Sequence, residues 1–217
     1  MADPNLDRQF SLGDGLRRHL IRHLAAFEAR ENHDPQLRRA AVALVVTAPS
    51  EGEDAAVLVT LRSARLKRHA GQFALPGGRL DDGETAIDAA RRELQEELGV
   101  DLGQADLLGR LDDYPTRSGF SIAPLVFWGG ADLHIVPDET EVEQVFHVPL
   151  IELNGSGLPI LEKAEHSDHP VLSSKLPSIG YQMFAPTAAM LYQFREVALR
   201  GESTRVAHFG QPEFAWS

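Results

Sequence analysis

Gly78-Arg79-Leu80-Asp81-Asp82-Gly83-Glu84 and, after seven intervening residues, Arg92-Glu93-Leu94-Gln95-Glu96-Glu97-Leu98-Gly99-Val100 decide how this chain of 217 residues is read. Thr85 to Leu98 has the spacing of a strong helix, and Gly99 stands where a helix stops. Each helical residue advances about 100°, so Glu93, Glu96 and Glu97, at i, i+3 and i+4, share a face. Ala86, Ile87, Ala90 and Leu94 are expected on the opposite side, toward a core. Carboxylates within about 5 Å repel by about 3 kcal/mol per pair at an effective dielectric of about 20. The cluster gains nothing for folding by itself. Hard oxygen donors at this density suit Mg2+ or Mn2+, which also take substrate phosphates as ligands. A bare Glu-x-x-Glu-Glu is more often a solvated face, but its flanks favour the metal. Glu84 and Arg92 are spaced for an ion pair that pins loop to helix, and the glycines let backbone approach a ligand.

The complete pattern is Gly-x5-Glu-x7-Arg-Glu-apolar-x-Glu-Glu-x-Gly-apolar, met here without a departure. At ordinary residue frequencies a chance match is on the order of one in ten million. On these residues the chain resembles the Nudix hydrolases, which cleave nucleoside diphosphates linked to another moiety. The resemblance implies an α/β fold: an α/β/α sandwich around a mixed β-sheet, with the box as a loop–helix–loop. It implies Glu93 and Glu97 as principal metal ligands, Glu96 as a further ligand or base, and Gly78 as a carbonyl donor. Glu84 and Arg92 would form the structural pair, and Mg2+ or Mn2+ would be the cofactor.

Upstream, Thr60-Leu61-Arg62-Ser63 leads through Arg65, Lys67 and Arg68 to His69-Ala70-Gly71-Gln72, then to Leu75-Pro76-Gly77-Gly78. Connections as long as Ser63 to Gly78 usually have a functional role in a compact domain. Thr-x-Arg-Ser, His-x-Gly-Gln and Pro-Gly-Gly together resemble the element that marks coenzyme A pyrophosphatases within the Nudix family. This implies coenzyme A or an acyl-CoA as substrate, with 3′,5′-ADP and 4′-phosphopantetheine as products. Arg62, Ser63, Arg65, His69, Gln72 and Gly77 would bind it. Coenzyme A has a 3′-phosphate besides its diphosphate, and arginine forks suit both. Thr116-Arg117-Ser118-Gly119-Phe120 with Pro124, and Glu141 to Phe146, resemble further family segments. The second is an acidic loop opposite the box, so catalysis is expected from Glu96, Glu97 and Glu141. One position departs: Leu75 stands where the coenzyme A enzymes usually have Phe. ADP-ribose, NADH or another nucleotide is the alternative substrate. A non-catalytic nucleotide-binding Nudix module is the alternative of another class, though such modules commonly lose box acids.

Lys plus Arg number 21 and Asp plus Glu 32, a net charge of −11. That argues against holding long nucleic acid by overall field, and an anionic substrate must find its cations locally. The absence of cysteine excludes disulfides, thiolate zinc sites and a cysteine nucleophile. No run nears the ~20 apolar residues of a membrane span, and the N-terminus lacks the basic and apolar regions of a secretory signal. A cytoplasmic protein with a small nucleotide-type substrate, no membrane or nucleic-acid partner and a possible homodimer is expected.

Leu12, Leu16, Leu20, Ile21, Leu24 and Phe27 predict an amphipathic helix over about 12–31. Arg17, Arg18, His19, Arg22 and His23 would form its polar face, solvated or touching phosphate. Strands are expected at 40–47, 55–62, 107–111 and 121–128, a short one closing 139–146, and a last helix at 188–199 after Pro186. The stretch 154–180, rich in Gly, Pro, Ser and His, reads as an irregular insertion. Glu165, His166, Asp168 and His169 crowd too closely to surround one tetrahedral zinc, and Trp128 and Trp216 read as packing residues. The expected organisation is an N-terminal helical extension (1–35), a Nudix domain (36–205) and a C-terminal tail (206–217).

Overall fold

Ala40 to Thr47 is buried at every position, as in a strand covered on both faces. It forms most of the central strand, β1 (Arg38–Thr47), of a computed structural model that describes residues 10–52, 54–66, 69–163 and 169–211. β1 runs parallel to β7 (Phe120–Gly130), from Arg38 opposite Phe120 onward. Its other edge pairs antiparallel with β2 (Ala56–Arg62) at one end and β4 (Gly77–Arg79) at the other. β3 (Phe73–Ala74) and β8 (Val142–Pro149) flank β2, while β5 (Leu107–Arg110) and β6 (Tyr114–Pro115) join β7. The result is a mixed eight-stranded sheet.

Alternation along the strands divides the core in two. Val42, Leu44, Val57 and Val59 face α1 (Asp14–Ala26) and α4 (Thr187–Phe194), which continues through a π-helical turn at Arg195–Leu199. Ala41, Ala43, Val45 and Leu58 face α2 (Ala86–Leu98), which contributes Ala89, Ala90, Leu94 and Leu98. The expected α/β/α sandwich is therefore the fold, and its N-terminal helix is present.

That helix is shorter than its periodicity predicts. Beyond Phe27 the backbone finds other acceptors: Arg30 N–H donates to Asp112 Oδ1 at 2.8 Å and Asn32 N–H to Asp113 Oδ2 at 2.9 Å. Its histidines are not on a solvated face. His19 Nε2 lies 2.9 Å from the Leu199 carbonyl and His23 Nδ1 3.1 Å from that of Ala198. A carbonyl only accepts, so both nitrogens carry the proton, and they serve orphan carbonyls at the end of the last helix.

The insertion is not irregular. After α3 (Leu150–Leu153), β9 (Ile160–Glu162), β10 (Val171–Lys175) and β11 (Gln182–Phe184) make a three-stranded antiparallel sheet. Strands of three to five residues show too few alternations to stand out. Buried Arg195 donates to the carbonyls of Gly155 and Leu158 and so ties this segment to the last helix. The strand expected to end near Phe146 runs on to Pro149. Trp128 packs against the core. Lys67, Arg68, Glu165, His166, Asp168 and Trp216 lie outside the described residues. Among the described residues no helix is long and apolar enough to cross a membrane.

Candidate active site

Two glycines bring the box against the sheet. A Cβ on Gly77 would lie 2.3 Å from the Ala41 carbonyl oxygen and 2.7 Å from Val42 Cα, both backbone. A Cβ on Gly78 would lie 2.2 Å from Glu93 Oε1, so the Glu93 carboxylate occupies the space that a side chain would fill. The loop that follows folds on itself, Glu84 N–H donating to the Asp81 carbonyl and Asp81 N–H to Glu84 Oε2. Thr85 caps α2 by accepting from Asp88 N–H, and Gly99, in a left-handed conformation, closes its C-terminus.

Arg92 organises the acids. Its guanidinium reaches Glu84 at 3.0 and 3.1 Å, Glu93 at 2.8 Å and Glu96 at 3.1 Å, and donates to the Arg79 carbonyl at 2.9 Å. Sequence reading paired it with Glu84 alone, although Arg92 and Glu96 stand at i and i+4. The bond from Arg92 holds the Glu84 carboxyl below its usual range.

The three box acids do not point one way. Glu96 is exposed, Glu93 is partly covered, and Glu97 is 2% exposed. Glu97 stands seven residues after Ala90 and three after Leu94, which places it within the buried stripe instead of opposite it. Burial pushes the Glu97 carboxyl up to about 8; Arg62, 3.5 Å away, and a hydrogen bond from Gly77 N–H oppose this, while Glu93 and Glu141 add to it. Glu93 is raised as well, first by burial, against its bond to Arg92 and with the fields of Glu96 and Glu141. Glu141, far away in sequence, is therefore near enough for its charge to be felt by both.

The upstream loop reaches the same place. Arg62 N–H donates to the Gln72 carbonyl, Gly71 N–H to that of Arg62, and Ser63 N–H to that of Glu141. His69, at φ 54°, sets Nδ1 3.2 Å from Gln72 Oε1. Ser63 is buried and Arg65 exposed. Of the expected substrate-binding residues, Arg62 and Gly77 thus touch a box acid directly, whereas Ser63, Arg65, His69 and Gln72 form the hairpin beside it.

Among the described residues no three acidic or histidine side chains are already gathered around one point. Arg92 stands between Glu93 and Glu96. The donors nevertheless fit a hard divalent cation: carboxylate oxygens, two of them raised by burial and by neighbouring carboxylates, and countered by one arginine each. Glu93, Glu96, Glu97 and the Gly78 carbonyl are the groups available to hold it.

Known proteins resemble this chain. The profile of the NUDIX domain family matches residues 37–173. A Nudix hydrolase NudL of Klebsiella pneumoniae subsp. pneumoniae is 34% identical over 199 residues, covering 89% of this chain and 96% of that protein. The NudL of an Escherichia coli O7:K1 strain is 35% identical over 147 residues, 67% of this chain and 72% of its own. A MutT/nudix family protein from Enterococcus faecalis is similar in structure at a TM-score of 0.48 and 18% identity, over 91% of this chain and 75% of that one. This chain belongs to the Nudix hydrolase family, enzymes that hydrolyse nucleoside diphosphate derivatives with the help of divalent metal ions.

Proposed function

We propose that this chain hydrolyses the pyrophosphate bond of coenzyme A or an acyl-CoA, releasing 3′,5′-ADP and 4′-phosphopantetheine (or its acyl form), with Mg2+ or Mn2+ held by Glu93, Glu96, Glu97 and the Gly78 carbonyl. One observation supports it above the rest. Arg62, from the Thr-x-Arg-Ser run, lies 3.5 Å from Glu97, and its backbone bonds to Gln72 of the His-x-Gly-Gln run. The element that resembles coenzyme A pyrophosphatases ends against the box helix.

When bound, the metal supplies positive charge to the diphosphate oxygens and lowers the pKa of an attacking water. Water oxygen bonds to one phosphorus as the bridging P–O bond breaks, and a carboxylate takes the proton. We assign that role to Glu141, whose charge is felt at Glu93 and Glu97, while Arg92 holds Glu96. Arg62 orients the phosphates against Glu97, and Gly77 leaves no side chain between them. Glu84 keeps Arg92, and through it the loop, in place. Ser63, Arg65, His69 and Gln72 shape the hairpin that contacts the rest of the substrate.

Mass spectrometry of products from coenzyme A, ADP-ribose and NADH with Mg2+ tests this reading. The expected products are 3′,5′-ADP and 4′-phosphopantetheine, with coenzyme A turned over fastest. Faster cleavage of ADP-ribose or NADH would give the site to that substrate instead.

A further inference from the structure

Glu141 stands on a connection with little core to hold it. The chain from 131 to 141 joins β7 to β8, and most of it is exposed, with Leu133 and Ile135 packed against the α2 side of the core. A group that takes a proton must be held to within about 0.5 Å of its working position, and an exposed loop does not achieve that by packing.

Hydrogen bonds that start at the box helix hold it instead. The last carbonyls of a helix have no partner inside it. Here Val136 N–H donates to the Leu98 carbonyl at 2.8 Å and Asp138 N–H to the Glu97 carbonyl at 2.9 Å. Gly99 leaves room for this approach, since a Cβ there would lie 3.1 Å from the Val136 carbonyl oxygen. From Asp138 the chain turns back on itself. Asp138 Oδ1 accepts from Thr140 N–H at 2.8 Å and from the Thr140 hydroxyl at 2.7 Å. The Asp138 carbonyl accepts from Glu141 N–H at 3.0 Å and from Val142 N–H at 2.8 Å. The Glu141 carbonyl accepts in turn from Ser63 N–H at 2.8 Å. Asp138 thus joins the backbone of a box acid to the backbone of Glu141, and its carboxylate closes the turn between them with Thr140. Both residues are exposed, so core packing does not account for them.

We propose that Asp138, with Thr140, positions the Glu141 carboxylate for proton transfer. This rests on the reading of Glu141 as the group that takes the proton. The test measures kcat and KM at saturating Mg2+ on whichever of coenzyme A, ADP-ribose and NADH the full chain cleaves fastest. Glu141→Gln should lower kcat about a hundredfold. Asp138→Ala should lower it about tenfold, within what a misplacement of about 1 Å can cost. Its KM, Mg2+ affinity and melting curve should not change. Asp138→Asn keeps the acceptor oxygen and should recover most of that loss. Thr140→Val keeps the N–H bond and should lose about threefold. In the Glu141→Gln background Asp138→Ala should cost nothing further, because the group it positions is gone. A full further loss there, an equal loss in Asp138→Asn, or an undiminished kcat in Asp138→Ala would overturn the positioning role while leaving Glu141 its own. Normal turnover by Glu141→Gln would overturn the reading of Glu141, and the positioning role with it.

Discussion

Glu97 presents a carboxyl group to the sheet with one arginine 3.5 Å away, and burial outweighs that arginine enough to push its pKa up to about 8. In the unfolded chain the same group titrates near 4.5. Between those values the unfolded chain has released the proton and the folded, metal-free protein still holds it. The contribution of Glu97 to the stability of the metal-free protein therefore falls as pH rises through that window. Glu97→Gln keeps the shape and removes the titration. Its melting temperature in EDTA should vary less than the wild type's over that range. With Mg2+ its turnover should drop about a thousandfold. Retained activity with a normal melting curve would sink Glu97 as a ligand. The box acids were legible as residue types at fixed spacing. That Glu97 faces inward was obscured because Ala86 and Ile87 were counted as the core side, whereas Ala89, Ala90, Leu94 and Leu98 are its buried centre.

At the scale of elements, regular strands and long helices announced themselves through periodicity, and segments held by side-chain bonds did not. The three short strands after α3 are one case; the early end of α1 is another. His19 and His23 show what α1 does: their rings, 4.1 Å apart, both donate to the last carbonyls of the π-helical turn. Burial first, then His19 and Arg22, lower the His23 pKa, against the bond to Ala198, which raises it. A base depressed below its unfolded value of 6.5 resists protonation that the unfolded chain accepts, so stability is lost as pH falls below 6.5. His23→Gln can still donate an N–H but cannot titrate. With saturating Mg2+, which suppresses the opposite trend of Glu97, the wild type should lose more of its melting temperature than this variant between about pH 7.5 and 5.5. Parallel losses in the two proteins would show that α1 docks without help from neutral His23.

Across the whole molecule, net charge concealed how charge is distributed. A total of −11 gave no hint that Arg38 and Arg79 stack on Phe120 while other arginines hold the chain together. Asp112 shows the second use. Buried at 5% exposure, it accepts from Arg30 N–H, Gln193 Nε2 and Arg205, and Arg205 also packs over Phe27 and donates to the Glu28 carbonyl. One carboxylate thus joins the segment after α1, the loop between β5 and β6, α4 and the chain beyond it. No local spacing reveals such a group, because its partners lie more than eighty residues away in either direction. Asp112→Ala strands three donors. Breaking a buried pair costs about 3–5 kcal/mol, and partial exposure of Arg205 argues for the low end. For a chain of this size about 3 kcal/mol lowers the melting temperature by roughly 6–12 °C. Asp112→Asn, which keeps an acceptor oxygen, should lose less. Neither change should alter Mg2+ affinity at a temperature where the protein is folded, because Asp112 sits on the sheet face away from α2. Calorimetric melting and Mg2+ titration of both variants check this, and a shift in metal affinity as large as the shift in stability would mean that the two faces of the sheet are coupled.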